Sequence, residues 1–142
     1  MRARTITEAD VVAFAALTGD HHPQHTDARF AAESPFGERI AHGMLVLSYA
    51  VGLVDFDPDR VQALRRIEDA VFKRPVRIGD TIHVEVALAR PDDGRGLESY
   101  EWRVVNQHGK LVARALVEAL VRRDEPVPLE DPVLDGATPL LL

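Results

Sequence analysis

Gly43-Met44-Leu45-Val46-Leu47-Ser48-Tyr49-Ala50-Val51-Gly52-Leu53-Val54 is apolar on nearly every face of a helix. Such a helix has no side to show to water, so the run predicts a buried element with other structure wrapped round it. It is far too short to span a bilayer, and Ser48 and Gly52 interrupt it. Upstream, Thr7-Glu8-Ala9-Asp10 reads as a helix start, with Thr7 as the cap and Asp10 as a weaker version of the capping-box acid. Val11, Phe14, Ala15 and Leu17 supply an apolar face at helical spacing, and Gly19 ends that helix. Residues 20–40 read as a polar loop with turn signals at Pro23, Ser34-Pro35 and Gly37 and a short helix over about 28–33.

Downstream the periodicity changes. Residues 71–76 and 81–89 are rich in β-branched side chains. Ile82, Val84, Val86 and Leu88 alternate with His83, Glu85 and Ala87, a half-buried strand pattern. Asp92-Asp93-Gly94-Arg95-Gly96 is a turn. Residues 99–106 and 110–122 form two further strands joined by Asn106-Gln107-His108-Gly109, a hairpin signal. Helices first and an antiparallel meander second make an α+β chain. One buried helix with four or five strands implies that the sheet wraps the helix. Such a sheet leaves edges, and pairing two protomers would cover them, so a homodimer is expected. Residues 1–123 form one domain. Residues 124–142, with Pro126, Pro128, Pro132 and Pro139 and no periodicity, read as an extended or disordered acidic tail.

The composition sets limits. The chain has 142 residues, room for one domain only. Its formal charge of -6 argues against nucleic acid as a partner. Basic residues do gather locally at Arg65-Arg66 and along Lys73, Arg74 and Arg77, and a local patch can hold a small phosphorylated ligand. The alternative is a solvated face. With no cysteine, disulfides, thiolate nucleophiles and Cys-ligated zinc are excluded. Met1-Arg2-Ala3-Arg4-Thr5 has no apolar run behind its charges and does not read as a secretory leader, so a cytoplasmic, membrane-free protein is the expectation.

Chemistry concentrates in Thr18-Gly19-Asp20-His21-His22-Pro23-Gln24-His25-Thr26-Asp27, where a carboxylate, several imidazoles and a proline lie between two apolar helices. That stretch, with Ile40-Ala41-His42-Gly43-Met44-Leu45 and Phe72-Lys73-Arg74-Pro75-Val76-Arg77-Ile78-Gly79-Asp80-Thr81, resembles the MaoC-like dehydratase family, which includes the (R)-specific enoyl-CoA hydratases. The resemblance covers residues 2 to 122. It implies a dimeric hot-dog fold, a curved antiparallel sheet around a central helix. It also implies hydration of trans-2-enoyl thioesters, or dehydration of (R)-3-hydroxyacyl thioesters.

On matched positions, the resemblance makes Asp20 and His25 the catalytic pair and Gly43 the backbone donor to the thioester oxygen. His22 stands where the family commonly has Asn. His22 and Pro23 and, beside Gly43, His42 and Met44 are the expected substrate-binding residues, although His42 also reads as a helix-capping or packing residue. A serine that some relatives carry on the central helix is Val51 here. No cofactor is consumed; coenzyme A, or the phosphopantetheine of an acyl carrier protein, is part of the substrate. No metal is expected, because Asp20, His21, His22, His25 and Asp27 lie in one short loop without a helical i, i+4 histidine pair.

The residue types suit the reaction. Adding water across an α,β-unsaturated thioester needs a base for the water, an acid for Cα and a donor for the enolate-like oxygen. Imidazole titrates near neutrality, a carboxylate can share the same water, and a helix N-terminus offers an unpaired N–H. A hot-dog thioesterase, a dehydratase or cyclase of a specialised biosynthetic pathway, and a non-catalytic acyl-thioester binding module are the rival readings.

Overall fold

The computed structural model describes residues 1–122; the proline-rich tail lies outside them. In chain order the elements are β1 (Ala3–Thr5), α1 (Glu8–Thr18), α2 (Pro23–Thr26), α3 (Ala28–Ala32), α4 (Gly43–Leu53), β2 (Val61–Phe72), β3 (Thr81–Arg90), β4 (Leu97–Val105) and β5 (Leu111–Val121). The strands make one antiparallel sheet of order β1-β3-β4-β5-β2. β3, β4 and β5 are the expected meander. β2 comes earlier in the chain but closes the far edge against β5.

The core lies between α4 and the sheet. Leu45, Val46 and Ala50 of α4 pack with Ile82, Trp102, Val104, Val112, Ala113, Ala115 and Val117. Val112, Ala113, Ala115, Val117, Ala119 and Val121 give β5 burial along nearly its whole length, as expected for a central strand. α1 begins as its sequence predicts. Thr7 accepts from the Asp10 N–H at 3.2 Å, and Asp10 accepts from the Thr7 N–H at 2.9 Å, a reciprocal capping box.

Three local expectations change. First, the strand expected at 71–76 is the end of a longer one. β2 starts at Val61 and stops at Phe72, and residues 73–76 connect to the next element. Pro75 cannot donate to a ladder, while the register of β2 against β5 shifts three times and Asp69 takes φ 51°. Those bulges erase the two-residue alternation that would have revealed the strand. Second, the 20–40 loop contains α2 as well as α3, and Pro23 is the first residue of α2, where its missing N–H is no loss. Third, α4 is not buried all round. Met44, Ser48, Val51 and Gly52 form an exposed stripe, with Met44 at 58% and Val51 at 37% exposure. The sheet curves round only one side of the helix.

Candidate active site

The site begins where α1 ends. Gly19 takes φ 80°, a left-handed conformation that costs glycine little, and its N–H returns to the Ala15 carbonyl at 2.9 Å. This turn sends the chain sideways at Asp20. The Asp20 N–H donates to Thr18 Oγ1 at 3.2 Å, and Asp20 Oδ1 accepts from the His22 N–H at 3.2 Å. α2 follows directly, capped by His22, whose Nδ1 accepts from the Gln24 N–H at 3.1 Å. Asp27 then caps α3 through the N–H groups of Arg29 and Phe30.

His25, half-buried on α2, is oriented from two sides. Its Nδ1 lies 2.7 Å from the Ile40 carbonyl, and its own carbonyl accepts from Arg39 Nε at 2.7 Å. A carbonyl can only accept, so Nδ1 carries the proton and Nε2 of the neutral ring is left as the basic lone pair. Burial pushes the His25 imidazole below its ordinary value. The nearby His42 and His22 rings add to that shift, while the Ile40 carbonyl and Asp20 oppose it.

The segment 40–43 meets this loop from the other side. The Ala41 N–H donates to the Val76 carbonyl at 2.7 Å, and Ile40 bridges Arg77, tying the segment to the chain beyond β2. His42 is 2% exposed. It stands at the N-cap position of α4 but makes no capping bond. Instead its Nε2 donates to the Asp20 carbonyl at 3.0 Å, and its ring stacks on His25 with centroids 3.9 Å apart. Gly43 opens α4, so its N–H has no partner within the helix and sits at the positive end of the helix dipole.

A cavity of about 410 Å³ is lined by Asp20, His25, His42, Gly43 and Met44 together with Phe72, Lys73 and Arg74. The structure thus brings together Asp20, His25, His42, Gly43 and Met44. His22 and Pro23 do not line this cavity; they build α2, on which His25 rides. Phe72, not among the site residues expected from the sequence, is a wall of the cavity, and the Ile40 carbonyl, which no side-chain motif could announce, orients His25. Position directly before Lys73-Arg74-Pro75 was the available signal for Phe72. A second cavity of about 190 Å³ shares Met44 and runs under α4 between Leu47, Ser48, Val51 and the β2 residues Leu64 and Ile67.

One donor atom each of Asp20, His25 and His42 lies within 4.8 Å of the others. His42 enters that cluster from a segment outside the 20–27 loop. Nδ1 of His25 and Nε2 of His42 are already engaged with carbonyls, so the trio is organised by the backbone. No helix among the described residues is long and apolar enough to cross a membrane.

A curved antiparallel sheet packed on one helix defines a hot-dog protein, and Asp20, His25 and the first residue of that helix line one cavity. The chain matches the MaoC-like domain over residues 1–129 and belongs to that family. It is 49% identical over 88 residues to Protein MaoC of Klebsiella aerogenes, spanning 61% of this chain and 26% of that protein. It therefore corresponds to about a quarter of that relative's length. It is 33% identical over 114 residues to the (R)-specific enoyl-CoA hydratase of Aeromonas caviae, covering 80% and 84% of the two chains. Among solved structures it is similar to the monoamine oxidase regulatory protein of Archaeoglobus fulgius, with TM-score 0.80 and 43% identity over 87% of each chain.

Proposed function

We propose that this protein is a hydro-lyase that adds water to trans-2-enoyl thioesters and, in reverse, dehydrates (R)-3-hydroxyacyl thioesters. The observation that carries the reading is the meeting, in one cavity, of Asp20, a neutral His25 with a basic Nε2, and the unpaired N–H of Gly43. The similarity to the Aeromonas caviae hydratase over most of both chains supports it.

In the hydration direction, a water held between Asp20 and His25 loses a proton to His25 Nε2 as its oxygen bonds to Cβ. The electron pair of the double bond moves toward the thioester, and the N–H of Gly43 stabilises the oxygen on which charge develops. The Asp20–His25 pair then returns one proton to Cα, so the elements of water are added and nothing is consumed.

The second cavity continues from Met44 along the exposed stripe of α4 and is almost wholly apolar, which suits an acyl chain. At the mouth of the first, Lys73 and Arg74 suit the phosphates of coenzyme A or of a carrier-bound phosphopantetheine. Arg65, Arg66 and Arg77 are less available for that role. Arg65 is ion-paired with Glu118, Arg66 lies 3.0 Å from Glu68, and Arg77 lies 3.0 Å from Glu38. The homodimer belongs to this reading too. β2 is an edge strand, and Leu64, Ile67 and Phe72 on it are 42–50% exposed beside the exposed stripe of α4.

The direct test follows the enoyl absorbance of crotonyl-CoA with wild-type protein, Asp20→Asn and His25→Ala, all shown to be folded. Loss of the signal that falls by about 10²–10⁴ in each variant is the expected result. Full activity in either variant would refute the assignment. Release of free thiol instead of loss of the double bond would point to the thioesterase.

A further inference from the structure

His42 stands out among the buried groups. It is a fully buried imidazole with a hydrogen bond at Nε2 only, and its Nδ1 has no partner. Because the Asp20 carbonyl can only accept, Nε2 carries the proton and Nδ1 is a buried lone pair. Burying such an acceptor unpaired opposes folding. A phenyl ring would fill the same space without that penalty, since the surroundings are rings: Phe14 at 4.9 Å on one side and His25 at 3.9 Å on another. The one thing an imidazole does here that a phenyl cannot is to hold the backbone of Asp20.

We propose that His42 is a positioning residue that locks Asp20 and His25 into one unit, by its bond to the Asp20 carbonyl and its stack on the His25 ring. This rests on the hydro-lyase reading above. The covalent arrangement supports it. Ile40, His42 and Gly43 lie within four consecutive residues; the first orients His25, the second holds Asp20, and the third is the oxyanion donor. The Ala41 N–H bonded to Val76 anchors this segment to the body of the protein. A movement of residues 40–43 therefore carries the acid, the base and the donor together, and their separations are preserved.

The charged and titratable groups round the unit are few. Asp20 and His22 face His25 from the α1–α2 turn, and Arg39 donates to the His25 carbonyl. The shift of the His25 imidazole, to which its neighbour His42 contributes, is consistent with a tight stack.

The test compares His42→Phe, which keeps the stack and the volume, with His42→Gln, whose amide N–H can donate to the Asp20 carbonyl. Turnover and the ring ¹⁵N shifts of His25 against pH are measured for both. In His42→Phe, kcat should fall about ten- to hundred-fold with KM within two-fold, because a misplaced acid–base pair is felt in the transition state. The His25 titration should move with it, and His42→Gln should recover part of kcat. A His42→Phe protein of unchanged kcat and unchanged His25 titration would overturn the proposal. So would one whose only change is a lower melting temperature. If wild-type protein hydrates no thioester, the hydro-lyase reading fails on its own. The ¹⁵N titration, which needs no turnover, still decides whether His42 sets the state of His25.

Discussion

The ring of Phe72 lies against Gly43 so closely that a β-carbon at Gly43 would sit 2.7–3.0 Å from three of its atoms. β2 ends where its last side chain covers the first residue of α4, and the wall of the cavity and the proposed oxyanion donor are built as one contact. Real side chains do not approach that closely, so glycine here is a matter of space.

Gly43→Ala should therefore push the Phe72 ring aside and narrow the cavity at the thioester oxygen. Phe72 is 50% exposed and can swing toward solvent, so the folding cost stays small, about 1–2 kcal/mol. If Gly43 is the proposed oxyanion donor, kcat/KM for crotonyl-CoA should fall about 10²-fold, because the N–H is retained but the thioester oxygen is held out of line with it. Adding Phe72→Ala removes the atoms that the new β-carbon meets and should recover part of both the melting temperature and the rate. A Gly43→Ala protein as fast as wild type would show that the Phe72 ring and the β-carbon do not crowd the thioester oxygen.

The acid limb of the pH–rate profile should lie below pH 6.5. Burial holds the His25 imidazole below its ordinary value, and in the proposed mechanism the neutral ring is the form that takes the proton from water. kcat/KM for hydration should rise with pH through the His25 value and level off above it. The linked effect on stability has the same direction. The contribution of neutral His25 is present above the unfolded-state value and is lost as pH falls through the lowered folded value. A limb at or above pH 6.5 that persists in His25→Ala would assign it elsewhere.

Asp10 supplies a second pH dependence, on stability alone. Burial alone would raise its carboxyl, but the Thr7 N–H, the Tyr49 hydroxyl at 2.7 Å and Arg4 at 2.7 Å overcome that and hold it at about 2. Its contribution is complete above about pH 4 and disappears as pH falls through 2. Asp10→Asn should reduce stability at pH 7 by about 2 kcal/mol and flatten the acid limb of the unfolding curve. Equal acid sensitivity in the two proteins would contradict this.

Lys73→Ala with Arg74→Ala should raise KM for crotonyl-CoA about tenfold and leave crotonyl-pantetheine, which lacks the phosphates, unaffected. Arg74 is anchored by one nitrogen at 2.6 Å from the Leu111 carbonyl, which leaves the rest of its fork for an anion. A larger effect on a carrier-bound crotonyl group than on the CoA ester would identify a carrier protein as the partner. Equal effects on the truncated and full thioesters would place the phosphates elsewhere.

What was legible in the sequence was what neighbouring residues settle among themselves. The capping box of Thr7 and Asp10, the glycine stop at Gly19 and the 106–109 hairpin are all short-range, and each is present in the fold; the alternation in β3 marked a strand, but only its first half is half-buried, and Val86 and Leu88 are exposed. Asp20 and His25 stand close in the chain, whereas Gly43 lies in a separate segment and was joined to them only by the family resemblance of both segments. β2 was less legible because it is an edge strand whose bulges, with Asp69 at positive φ, break the period. α2 was hidden because a proline marks a helix start as readily as a turn.

The sequence by itself determined most of the elements, the α+β class and the residue types able to do acid–base chemistry, since backbone preference and the intrinsic acidity of a side chain are local properties. Only the tertiary structure decided their relations. It turned His42 away from capping and under His25, gave His25 its tautomer through the Ile40 carbonyl, laid Phe72 on Gly43 and left one stripe of α4 uncovered. Each of these depends on contacts between residues far apart in the chain, made when the sheet closes on the helix, and no local pattern encodes them.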